Sequence, residues 1–190
     1  MQSLFESIKK ADEWLKNVSV IKGEEVALKK LGLILTDEII NSTYDFKITL
    51  DHYQHIQEPI SLVFMERKEL LNLVREVALS NIEALKNKKK LAKVMNALAV
   101  SYANVGDLEV VAVLLRTVAR LDLNIDYTSD IIDYLLDQQQ PDGYFGLLPE
   151  GLIEKKEAFS AALRLTVEVI WAFYEIFLNS EEGREEKEIG

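Results

Sequence analysis

The 190-residue chain contains no cysteine, which removes disulfides, iron–sulfur ligation and thiol catalysis from consideration. Backbone breakers are scarce as well, with three prolines and eight glycines. No segment alternates apolar and polar residues with period two for long, so the chain reads as helical almost throughout. Positive charge is also short. Lysine and arginine number 22 against 32 acidic residues, a formal net charge of −10 that argues against a phosphate-backbone ligand, and no nucleic-acid partner is expected. The one basic cluster, Lys86, Lys88, Lys89, Lys90 and Lys93, has no interleaved aromatics for base stacking and reads as a solvated turn between two helices. No uninterrupted apolar run approaches the ~20 residues of a bilayer span, so no membrane span is expected. Near the N-terminus Glu6, Lys9, Lys10, Asp12 and Glu13 interrupt any signal-like apolar stretch, and a cytoplasmic location is the expectation.

Against these absences stands a hydrophobic content of 48%, enough for a substantial core and too much for disorder. A chain of this length suits one domain that buries roughly 70% of the surface exposed when unfolded. The expected organisation is a single all-α domain over residues 1–180 followed by an acidic, flexible tail, 181–190, carrying Glu181, Glu182, Glu185, Glu186 and Glu188.

The helices can be placed by periodicity and punctuation. The first is expected from Ser3 to Val18, because Ser3-x-x-Glu6 has capping-box spacing and Leu4, Ile8, Ala11 and Leu15 form an apolar stripe. After Gly23 a second runs from Glu24 to Asn41. Between Ser42 and Phe64 the pattern suggests helix, break, helix, with Pro59 suited to the first turn of the later piece. A helix of about twenty residues is expected from Glu66 onward through Leu70, Val74, Val77, Ile82 and Leu85. The next carries Leu91, Met95, Leu98 and Tyr102 and ends at Gly106, with Asp107 capping its successor. That successor, Leu108 to Leu121, is apolar nearly all round and should lie inside. Ser129 to Gln139 follows. The last helix, Glu157 to Asn179, keeps only a narrow polar strip through Arg164, Glu168 and Glu175 and should be the main packing surface of the core.

Two clusters offer oxygen or nitrogen ligands. Asp130, Asp133 and Asp137 stand at i, i+3 and i+7 on one helical face, where carboxylates could share a hard divalent cation or simply form the solvated side of an amphipathic helix. His52 and His55, with Glu58 a turn further on, have spacing that suits zinc, nickel or iron, and Asp51 could support a histidine from behind. Two histidines at this spacing more often mean a polar helix face than a metal site, and no cofactor is expected. Phosphate loops, dinucleotide-binding turns and hydrolase nucleophile elbows are all missing.

One stretch, Tyr134 to Gly146, organises the rest: it ends a helix, turns at Gln140-Pro141-Asp142-Gly143 and sets the approach to the last helix. It resembles the QW motif of the α/α-toroid proteins, the family that includes squalene–hopene cyclases and related class II terpene cyclases. Tyr134 and Leu135 occupy the aromatic and aliphatic positions and Gln139 the glutamine. After a three-residue spacer comes Gly143, with Phe145 where tryptophan would stand. A looser echo, Trp14-Leu15, has no glutamine after it, and the helix with Thr166, Trp171 and Ala172 looks like the one that follows the motif in that family. The resemblance implies antiparallel helical hairpins in a partial α/α-toroid or compact arch of about seven or eight helices. It also implies that Gln139 bonds to backbone at a neighbouring helix, with the aromatic packed against it.

The resemblance does not extend to catalysis. The Asp-x-Asp-Asp acid motif of class II cyclases and the Asp-Asp-x-x-Asp motif of class I enzymes are both missing. The expected function is therefore a non-catalytic binding or interaction protein. Its concave surface would hold an apolar small molecule, a peptide or a partner protein, with Tyr144, Phe145, Trp171 and Tyr174 as candidate ligand contacts. By analogy with toroid relatives, an accessory role in a natural-product pathway is conceivable. The alternative is a small terpene cyclase-like enzyme for an isoprenoid or similar apolar substrate, using the Asp130/Asp133/Asp137 face or the His52/His55 pair. Self-association into a homo-oligomer is compatible with either.

Overall fold

The computed structural model describes residues 3–20, 23–41, 59–80, 85, 87–121, 126–146 and 156–179. Its elements are α1 (Leu4–Asn17), α2 (Gly23–Asn41), a 3₁₀ helix (Pro59–Phe64), α3 (Arg67–Leu79), α4 (Lys88–Asn104), α5 (Leu108–Leu121), α6 (Thr128–Asp137) and α7 (Lys156–Asn179). The fold is all-α. Among the described residues the only β-type pairing is an isolated bridge between Gln139 and Phe145.

Local chemistry explains most boundaries. The Ser3 hydroxyl accepts from the Glu6 amide at 3.2 Å while the Glu6 carboxylate takes the Ser3 amide, the reciprocal capping box that the spacing predicts. The α4–α5 junction is equally well punctuated. Gly106 (φ 75°) donates to the Ala103 carbonyl and Asp107 to the Tyr102 carbonyl, which closes the end of α4. The Asp107 side chain then accepts from Val110 at 3.3 Å and starts α5. Pro59 opens the 3₁₀ helix, where its missing amide costs nothing.

Two expectations are corrected. The helix beginning near Glu66 stops at Leu79 after 13 residues, shorter than the apolar period suggests. Ser80 is extended, and its hydroxyl bonds back to the Glu76 carbonyl at 2.7 Å, which competes with continuation of the helix. The lysine cluster is also more than a turn: Lys88, Lys89 and Lys90 form the first turn of α4. The histidine pair His52 and His55, with Glu58, and the acidic tail lie outside the described residues.

Helix α5 is the inner element. All of its residues except Glu109 and Arg120 are buried, and it packs on α3, α4, α6 and α7. Helix α7 packs against α5 on one side and α1 and α2 on another, so it joins the N-terminal hairpin to the remaining helices. Leu163, Val167, Ile170 and Phe173 of α7, together with Leu15, Leu35, Val111, Leu114 and Leu115, belong to one continuous apolar core. Each such side chain contributes roughly 1.5–3 kcal/mol by leaving water. Gly32 marks a tight crossing, because a methyl group there would lie 2.8 Å from Leu15 and 3.1 Å from Val167.

Candidate functional site

The turn after α6 docks that helix onto both α1 and α7. Gln140 donates its amide to the Tyr144 carbonyl at 2.8 Å, and Gly143 donates to Gln140 at 2.9 Å, folding residues 140–144 back on themselves. The Gln139 side-chain amide donates to the Ser7 carbonyl of α1 at 2.8 Å and to the Gly143 carbonyl at 2.9 Å. Gly143 (φ 103°) sits so close to α1 that a Cβ would fall 2.2 Å from the Lys10 carbonyl oxygen. Only glycine satisfies both the backbone angle and that approach. On the far side of the turn, the Phe145 amide donates to the Thr166 hydroxyl of α7 at 3.0 Å.

The aromatic side chains seal this junction. Tyr144 packs on Trp14 with ring centroids 5.6 Å apart, and Phe145 meets Phe173 edge to face at 6.0 Å. Leu135 is fully buried and Tyr134 partly so. Of the four aromatics considered as ligand contacts, Tyr144, Phe145 and Tyr174 are core residues and Trp171 is partly buried.

A furrow opens beside this turn, between the start of α5 and the first turns of α7. It encloses about 440 Å³ and is lined by Arg67, Val105, Gly106, Asp107, Leu108, Glu109, Phe145, Gly146, Ala161, Ala162 and Leu165. A second hollow of about 410 Å³ shares Glu109, Ala161 and Leu165 with it and extends to Ser160 and Arg164. Glycine and alanine keep the floor shallow in side chains, so an occupant can approach the backbone closely. Val105, three-quarters exposed at 75%, gives the rim an apolar edge. Of the sequence candidates, Phe145 alone lines the furrow.

A ladder of alternating charges leads from the furrow into the core. Arg67 donates to both carboxylate oxygens of Asp107 (2.5 and 3.0 Å) and to Glu109 at 2.8 Å. The other Glu109 oxygen accepts from Arg75 at 2.8 Å. Arg75 also makes two bonds to one Glu168 oxygen, at 3.0 and 2.8 Å, and Arg116 reaches the second at 2.8 Å. Arg116 is 2% exposed and lies 4.2 Å from the centroid of the Trp171 ring, a cation–π contact in a desolvated setting. Its Nε finds no hydrogen-bond partner among the described residues. Further along α7, Glu175 faces Arg120 at 3.7 Å.

The polar strip of α7 is thus largely buried. Glu168 and Glu175 turn toward the arginines of α3 and α5, while Arg164 stays at the surface and pairs with Glu24.

These surroundings set the protonation energies. Burial pushes the Glu109 carboxyl up, but hydrogen bonds from Arg67 and Arg75 outweigh it and leave it below the ordinary carboxylate range. Burial dominates at Glu175 and raises its carboxyl despite Arg120, Arg116 and a bond from Trp171. Burial likewise lowers the Arg116 guanidinium, against the pull of Glu168 and Glu175.

The aspartates of α6 are not gathered into a site. Asp130 and Asp137 are exposed and Asp133 is partly buried. Among the described residues no group of three or more histidine, aspartate or glutamate side chains is arranged to hold a metal ion. No helix among them is long and apolar enough to cross a membrane.

The chain matches no family model, curated protein or solved structure.

Sequence reasoning did not find the furrow or the ladder. One signal was available for the ladder: Arg116 stands in the middle of a helix that is apolar nearly all round, at a position where a charge needs a buried partner.

Proposed function

We propose that this protein is a non-catalytic helical binding protein whose furrow between α5 and α7 takes an apolar small molecule or an apolar segment of a peptide or partner protein. The observation that carries this reading is the division of labour in the furrow wall. Asp107 and Glu109 are each committed to arginines, with Arg67 on Asp107 and both Arg67 and Arg75 on Glu109. With these bonds already made, the two carboxylates have little left to offer a reacting group, and the Glu109 carboxyl is held below the ordinary range by its arginines. An occupant has Val105, Leu108, Ala161, Ala162, Gly146 and Leu165 left to cover, which favours apolar over charged ligands. The Gln139 bonds to α1 support reading the turn as a toroid-like staple that holds the furrow's floor in place.

The test is binding of an apolar fluorescent dye to the folded protein, with Ala161→Trp as the blocking variant. Ala161 is exposed and lines both hollows, so the indole fills the furrow without entering the core. Saturable dye binding that falls at least tenfold in Ala161→Trp, with thermal stability unchanged, is the expected result. Binding that is unaffected by the substitution would remove the furrow as the site.

A further inference from the structure

We draw no further inference here: the strongest candidate, the exposed apolar face of the 3₁₀ helix formed by Ile60, Val63 and Phe64, carries nothing because nothing in the structure shows what covers it.

Discussion

The side chain of Gln139 and the backbone carbonyl of Ser7, 132 residues apart in sequence, meet at 2.8 Å. Through this contact the turn after α6 grips the first helix of the chain, and the same amide also holds the Gly143 carbonyl. Replacing Gln139 with alanine removes both bonds at a partly buried site and should cost about 1–2 kcal/mol in denaturant unfolding. Gln139→Glu should cost more at neutral pH, because a carboxylate would face two carbonyl oxygens with no proton to donate. Part of that loss should return on acidification. Equal stability of the two variants at pH 7 would contradict the geometry.

Gly143 and Gly106 separate two roles of glycine. Both have positive φ, but a Cβ at Gly106 meets nothing within 4 Å, whereas one at Gly143 collides with the Lys10 carbonyl. Gly106→Ala should therefore cost about 1 kcal/mol, the conformational penalty alone. Gly143→Ala should cost more than about 2 kcal/mol and loosen the turn from α1. Thermal unfolding of the pair decides the matter, and similar melting temperatures would mean that the close approach is not real.

The ladder makes a sharper prediction, because a buried ion pair is costly to break on one side. Arg116→Met leaves Glu168 with Arg75 alone, in a site only 12% exposed, and should destabilise by about 3–5 kcal/mol. The double change Arg116→Met with Glu168→Leu should recover much of that loss, since it removes the desolvated charges together. A double-mutant cycle measures the coupling. Strictly additive effects would show that the two side chains do not act as a pair.

Two carboxyls should pull the stability of the fold in opposite directions with pH. The Glu175 carboxyl is raised by burial above the ordinary glutamate value of about 4.3. Its contribution is fully present below the unfolded value and is lost as pH rises through the folded one. The Glu109 carboxyl is lowered, so its contribution is present above the unfolded value and is lost as pH falls through the folded one. Comparing unfolding free energy against pH for the wild type, Glu175→Gln and Glu109→Gln isolates each. The Glu175→Gln difference should grow in the variant's favour as pH rises above the unfolded glutamate value, and the Glu109→Gln difference should shrink in acid. The reverse order would overturn the assignment of the two environments.

How much of this could be seen in the sequence depends on how local each signal was. The capping box at Ser3 and Glu6, the Gly106-Asp107 junction and the apolar girdle of α5 are each written within a few residues, and the structure has them where they were expected. The end of α3 was not legible, because Ile82 and Leu85 continue the apolar period past Ser80, where the serine's back-bond competes with the helix. The burial of Glu168 was hidden for a different reason: its partner Arg75 lies 93 residues away, so periodicity places the glutamate on a polar strip without showing what it faces. The furrow is assembled from α3, α5, the turn and α7, and no stretch of sequence contains more than a part of it.

Native mass spectrometry of the intact protein, captured gently from cells and compared with Ala161→Trp, tests the binding proposal most directly. The account predicts that the wild-type chain carries an added mass, either a few hundred daltons of apolar ligand or a second polypeptide, and that Ala161→Trp loses it. A bare chain in the wild type, or an added mass retained equally in the variant, would contradict the claim that the furrow between α5 and α7 is where this protein does its work.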